Sequence, residues 1–230
     1  MKARNRTGES SSAGLPARAR RPEAITGLFH VKRNLQAMVD ALPGSARDRL
    51  ESFHRLLAER AVPQGLISAA DGPRLWERHI LDSVRGAACL PERTATVVDI
   101  GSGAGLPGIP VAISRPGLSV HLVEPRARRA AFLELVVDTL KLSNVRVLVS
   151  RAEGVELAAD FCLARAVASP ADTWRLAQRL LVPGGRLLLW AGRSWPGPSA
   201  ADCDRRGIPW EICSPPGFSW QGPLVIMGAT

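Results

Sequence analysis

The sequence predicts an α/β architecture: a mostly parallel sheet covered by helices on both faces, behind an N-terminal helical cap. Three observations predict it. Short apolar runs alternate with stretches of helical spacing from about residue 96 to residue 190, and such alternation implies parallel strands joined by crossover helices. The first run, Thr96-Val97-Val98-Asp99-Ile100, passes directly into Gly101-Ser102-Gly103-Ala104-Gly105. A glycine loop there hands a strand to a helix and lets a nucleotide lie on bare backbone. An acidic residue, Glu124, ends the second run 21 residues after Gly103.

Taken in order, residues 1–22 are rich in Ser, Arg, Ala and Gly without apolar periodicity and read as a disordered basic tail. No apolar core follows the positive start, so a secretory signal is not expected. Residues 23–92 read as the helical cap. Leu50, Phe53, Leu56 and Leu57 recur at helical spacing within 45–61, between Pro43-Gly44 and Pro63. A second helix fits 74–89, with Leu75, Ile80 and Val84 facing inward. The remaining segment, 93–230, carries strands at 96–100, 119–123, 145–149, 161–164 and 186–191, with helices at 107–114, 126–141 and 170–181. Pro107 and Pro110 suit the first helical turn, where backbone N–H groups are unpaired anyway. Pro183-Gly184-Gly185 reads as a turn before the fifth strand. Beyond Gly192 the chain is rich in Pro and Gly, then offers Trp210–Cys213 and Leu224–Met227 as two last strands.

Composition sets outer bounds. A chain of 230 residues with 46% apolar content builds a globular core. No apolar run reaches the roughly 18 residues that a membrane span requires. Thirty basic against 21 acidic residues give +9, which makes RNA or DNA a candidate partner. The competing explanation is Arg-rich usage from a biased genome, and part of the excess sits in the tail at Lys2, Arg4, Arg6, Arg18, Arg20 and Arg21. Cys89, Cys162, Cys203 and Cys213 form no CxxC pair, so neither a zinc site nor a disulfide framework is expected. Reduced thiols in the cytoplasm are the expectation, with Cys162 a small core residue.

The loop itself discriminates between ligands. A dinucleotide fingerprint wants G-x-G-x-x-G, whereas Leu106 stands here where the third glycine belongs. Asp99 before the loop would repel a pyrophosphate and suits a cationic ligand bearing an amino group. That tilts the reading from a dinucleotide towards S-adenosyl-L-methionine. Glu124 can accept from both ribose hydroxyls, a feature both cofactor classes share; the other reading is a solvent-exposed acid balancing Arg126, Arg128 and Arg129.

The run Val98-Asp99-Ile100-Gly101-Ser102-Gly103-Ala104-Gly105-Leu106-Pro107-Gly108-Ile109-Pro110 resembles the signature of the bacterial 16S ribosomal RNA guanine-N7 methyltransferases, the glucose-inhibited division protein B family. The segment Arg78-His79-Ile80-Leu81-Asp82-Ser83-Val84 is similar to that family's His-x-x-Asp-Ser-Leu segment. Arg128-Arg129, Phe132-Leu133, Asn144-Val145, Arg151-Ala152-Glu153 and Ala164-Arg165-Ala166 match further, and the likeness covers about residues 50–192. It implies a class I methyltransferase with a seven-stranded, Rossmann-like sheet. It also implies cofactor contacts at Gly101, Leu106, Ala152, Glu153 and Arg165, with Glu124 on the ribose; Asp99 and Gly103 complete the expected cofactor set. The chain departs from the family at Gly65-Leu66-Ile67-Ser68-Ala69-Ala70, where an Asn-rich segment is usual, and at Trp190-Ala191-Gly192-Arg193, where a Lys-Gly pair is frequent.

The expected acceptor is guanine N7 in 16S rRNA of the small ribosomal subunit; a small molecule or another RNA position is the alternative. N7 carries a lone pair and no proton, so no general base is expected. Arg165 is the expected catalytic orienting residue, and His79, Arg126, Arg128 and Arg129 are substrate-binding candidates. Local packing for His79 and a solvated helix face for the arginines are the competing readings. The further expectations are no metal, no membrane, a monomer, and a cytoplasmic location.

Overall fold

The computed structural model describes residues 35–213 and 222–228; the basic tail assigned to 1–22 lies outside the described residues. Seven strands form one sheet in the order β3-β2-β1-β4-β5-β7-β6. They are β1 (Ala95–Ile100), β2 (Leu118–Val123), β3 (Val145–Leu148), β4 (Ala159–Arg165), β5 (Leu181–Trp190), β6 (Trp210–Cys213) and β7 (Leu224–Met227). The first five run parallel, and β7 is antiparallel to both β5 and β6. The strand order reverses between β1 and β4, where a crevice for ligands opens outside the carboxyl ends of such a sheet.

Alternation along β1 shows why both faces are covered. Val97 joins one core cluster, while Val98 and Ile100 join the other. On the Val97 side lie α3 (Gly108–Ser114) and α4 (Ala127–Thr139), through Ile109, Val111, Leu133 and Val136. On the opposite side lie α5 (Pro170–Gln178) and α6 (Gly197–Arg205), through Ala171, Ala177, Ala200 and Cys203. Ser169 caps α5 by accepting the Asp172 N–H at 3.2 Å, with Pro170 in the first turn as its missing N–H allows.

The cap is continuous with this core. Its first described residues, 35–40, are helical, and α1 (Gly44–Leu56) buries Leu50 and Phe53 in the same cluster as Val97 and Leu122. The two helices expected in the cap are each interrupted. After α1 comes a π-helical turn, Leu57–Ala61; the second is a 3₁₀ turn (Ala69–Arg74), a π-helical turn (Leu75–Leu81) and α2 (Asp82–Ala87). Such π turns re-aim side chains within a helix and recur at functional sites.

Three expectations are corrected. Helix α6 lies in the Pro- and Gly-rich stretch beyond Gly192, where the sequence predicts no helix. Pro183-Gly184-Gly185 falls inside β5: Ala159 pairs with Leu181 and Phe161 with Arg186, so residues 182–185 bulge opposite Asp160. Cys89 and Cys213, expected as separate thiols, form a disulfide with Cα atoms 6.4 Å apart and 124 residues between them in sequence. Local spacing is blind to a pairing that only the closed fold creates. Cys162 and Cys203 are free and buried.

Unfolded under non-reducing conditions, the protein should titrate two thiols, those of Cys162 and Cys203, and four after treatment with a dithiol reductant. Reduction should lower the free energy of unfolding by about 2–4 kcal/mol. Four thiols before reduction would disprove the bond.

Candidate active site

The loop after β1 depends on glycine at each turn. Gly101, Gly103 and Gly105 have φ of +68°, +60° and +87°, which L side chains disfavour. A Cβ on Gly105 would lie 2.6 Å from Ile109 Cγ1, and one on Gly101 would lie 3.2 Å from Val167 Cγ2. The N–H groups of Gly101 and Ser102 both donate to the Val123 carbonyl, at 2.9 and 3.1 Å, hooking the loop onto the end of β2.

Glu124 completes that attachment. One carboxylate oxygen accepts the Gly103 N–H at 3.0 Å and the other the Arg126 N–H at 2.9 Å. At 2% exposure it is not the solvent-exposed acid of the alternative reading. Each oxygen retains a second lone pair, so it can still accept from a sugar hydroxyl.

Asp99 sits deeper than expected. It is buried, and its Oδ2 accepts the Gly108 N–H at the start of α3, at 3.0 Å. The carboxylate thus serves an orphan helical N–H group at the positive end of the helix instead of standing open in the crevice. A Cβ on Gly108 would come within 2.6 Å of that oxygen, so glycine permits the approach. Oδ1 has no hydrogen-bond partner among the described residues. Burial pushes the carboxyl up to about 7, against the Gly108 hydrogen bond and with Glu124 nearby.

The other expected cofactor residues border the loop or follow the next strands. Leu106 is half-buried directly after the loop; Ala152 is buried and Glu153 exposed in a single 3₁₀ turn after β3. Arg165 is the last residue of β4, followed by Ala166 at φ +54°. That non-glycine left-handed residue sends Val167 towards Gly101, joining the end of β4 to the loop. The Arg165 Nη2 donates to the Arg78 carbonyl at 3.1 Å, and Nη1 lies 3.4 Å from Asp82 Oδ2 without a hydrogen-bond partner among the described residues. Burial lowers the Arg165 pKa and Asp82 opposes the shift.

The π-helical turn Leu75–Leu81 brings His79 into this cluster. Its Nε2 lies 3.8 Å from Asp71 Oδ2 and has no hydrogen-bond partner among the described residues. Burial, reinforced by the Arg165 charge and opposed by Asp71, lowers its pKa to about 4, so it is neutral at pH 7. Arg126 and Arg128 are exposed at the mouth of the loop. Arg128 Nη2 donates to the Gln64 carbonyl at 2.7 Å, tying α4 to the cap. Arg129 reaches the loop itself, its Nη1 lying 3.9 Å from the position of a Cβ on Gly103. Asp82, in the His-x-x-Asp motif but not expected in the site, is buried between Arg85 and Arg165.

Two cavities lie elsewhere: one of about 340 Å³ between Arg93 and Arg115, and one of about 500 Å³ along α4 and Val147. Among the described residues no group of three or more His, Cys, Asp or Glu is placed to hold a metal ion.

The rRNA small subunit methyltransferase G family matches residues 46–196. This chain belongs to that family. The match takes in the loop, Glu124, His79 and Arg165. Proteins named ribosomal RNA small subunit methyltransferase G align at 45% identity in Salinispora arenicola (68% of this chain, 68% of that one), 46% in Thermobifida fusca (62% and 60%) and 37% in Corynebacterium diphtheriae (73% and 78%). The chain thus spans less than two thirds of the Thermobifida relative's length. The family fold is shared with a SAM dependent methyltransferase from Aquifex aeolicus (TM-score 0.54, 18% identical, covering 72% of this chain and 97% of that one). It is shared too with MtNAS in complex with MTA and tNA (TM-score 0.52, 19% identical, 86% and 74%).

Asp99 binds a proton in the folded state between pH about 4 and about 7 that it releases when unfolded. Its ionisation therefore costs stability as pH rises through that window. Relative to Asp99→Asn, the wild-type protein should lose stability, on the order of a few kcal/mol, from pH 5 to pH 8 in urea titrations. A difference that is flat or opposite in sign would contradict this placement. Gly105→Ala should destabilise by at least about 1–3 kcal/mol through its left-handed φ and the Ile109 contact.

Proposed function

We propose that this chain transfers a methyl group from S-adenosyl-L-methionine to N7 of a guanine in the 16S rRNA of the small ribosomal subunit. The observation that carries the reading is the glycine cradle after β1, held by Glu124 and joined through Val167 to the end of β4, whose last residue is Arg165. Membership of the methyltransferase G family supplies the acceptor class.

The cradle fits the donor's chemistry. A side chain at Gly101 or Gly105 would strike Val167 or Ile109, so bare backbone of Gly101 and Gly103, with Leu106 beside it, would take the nucleoside. Glu124 would accept from the ribose, and Ala152 and Glu153 would flank the base. Asp99 would hold the Gly108 N–H beneath the cradle, and Arg165 would pair with a carboxylate or orient the acceptor. When bound, S-adenosylmethionine supplies an electrophilic methyl on a cationic sulfonium.

Guanine N7 offers its lone pair without losing a proton, so the chain needs no base. His79, neutral near pH 7, can accept or donate a hydrogen bond without adding a charge beside an acceptor that becomes cationic. The residues instead align the reacting atoms, and such positioning accounts for roughly 7–11 kcal/mol of a barrier. Arg126, Arg128 and Arg129 would meet phosphates flanking the target base.

The working form is a monomer in the cytoplasm. In support of the monomer, the exposed large apolar side chains among the described residues, Leu135, Val149 and Ile212, are few and lie on separate segments of the chain.

Purified protein with radiolabelled donor should methylate small-subunit particles or naked 16S rRNA, with the label mapping to guanine N7. Arg165→Ala should lower kcat/KM about 10- to 100-fold. Raising salt from about 50 to 200 mM should weaken RNA binding steeply. Transfer confined to small metabolites, or a salt-independent KM, would overturn the RNA assignment.

A further inference from the structure

Resting on that reading, we infer that Asp82 is the positioning residue that sets Arg165 for methyl transfer. Asp82 lies in the cap, 83 residues before the arginine it faces, yet its side chain is buried between two guanidinium groups. Oδ1 accepts Arg85 Nη2 at 2.6 Å, and Oδ2 lies 3.4 Å from Arg165 Nη1. The second contact is electrostatic and leaves the Nη1 N–H without a hydrogen-bond partner, while Nη2 is occupied by the Arg78 carbonyl. One edge of the guanidinium is thus anchored, while on the other the buried Nη1 is countered in charge and has no hydrogen-bond partner among the described residues.

The placement of Asp82 is itself determined by the strand beside Arg165. Trp190 on β5 is the register partner of Arg165 on β4. Its indole N–H donates to the Asp82 carbonyl at 3.0 Å. Gly86 admits the ring against α2: a Cβ there would lie 2.1 Å from Trp190 Cζ2. Arg85 donates in addition to the Gly222 carbonyl at 3.0 Å, so α2 is also tied to the segment entering β7. The Asp82 carbonyl is therefore anchored to the strand beside Arg165, while its carboxylate faces Arg165 itself.

The physical reason for such an arrangement lies in arginine's flexibility and charge. A long side chain has many rotamers to choose among, and a buried guanidinium without a counter-charge is costly. Without the Asp82 carboxylate, Arg165 would swing towards solvent and lose its place beside the Arg78 carbonyl. A merely structural ion pair with Arg85, three residues along the same helix, would not require Arg165 at all. The two roles make different predictions.

Methylation kinetics on small-subunit particles, calorimetric donor affinity and thermal unfolding are measured for wild type, Asp82→Asn, Arg165→Ala and the double variant. Asp82→Asn should lower kcat/KM at least about tenfold, and by less than about twofold in the Arg165→Ala background. Additive losses, or a folded Asp82→Asn with wild-type kinetics, would overturn the inference. Removing one partner of a buried pair can prevent folding, so Asp82→Asn/Arg85→Gln exchanges the ion pair for neutral amides. That variant should show the same loss, whereas Arg85→Gln alone should stay within about threefold of wild type. Equal losses in Arg85→Gln and in the paired exchange would assign the effect to structure and overturn the inference. A wild-type protein with neither donor affinity nor transfer would overturn the methyltransferase reading as well; an active wild type with an indifferent Asp82 refutes only the positioning role.

Discussion

The attachment of the loop after β1 to the end of β2 is the interaction on which the rest of the site depends. Two N–H groups share the Val123 carbonyl, and Glu124 takes a third from Gly103. Three donors converge on two consecutive residues, so the loop cannot shift without leaving buried polar groups unpaired, at a cost of about 1–3 kcal/mol each. With the loop held, α3 can start at Gly108 against Asp99, and Gly101 can meet Val167 from β4. The glycine loop, the first crossover helix and the end of the fourth strand are thereby one mechanical unit.

The cap supplies the other half of the arrangement. Its interrupted helices follow from what they must reach: an uninterrupted helix through 74–89 would rotate successive residues by a fixed angle and could not serve both the core and Arg165. The π turn over Leu75–Leu81 keeps Leu75, Ile80 and Leu81 buried while His79 and the Arg78 carbonyl face the end of β4. Cap and sheet share one apolar cluster, so they move together.

Much of this was legible in the sequence, and for identifiable reasons. Parallel strands buried on both faces are short apolar runs, which is why β1 to β4 were found within two residues of their bounds, whereas β5 starts five residues before the expected 186. The glycine loop is legible because left-handed backbone leaves a compositional trace. Helix α6 was not, since it begins at Gly197-Pro198 and buries only Ala200 and Cys203, too few apolar positions to show a period. The depth of Asp99 escaped because sequence shows that a strand ends in a carboxylate but not which helix N-terminus it meets. Asp82 was visible within a motif, but its partner is 83 residues away, and pairings at that range exist only once the sheet has closed.

The bond between Cys89 and Cys213 turns the intervening chain into a covalent loop. The glycine cradle, Glu124 and Arg165 are on that loop, while His79 and Asp82 are on the arm leading into it. A protease cutting once at any exposed turn between the two cysteines would therefore release nothing. Both fragments would remain one molecule until a reductant reached the sulfurs.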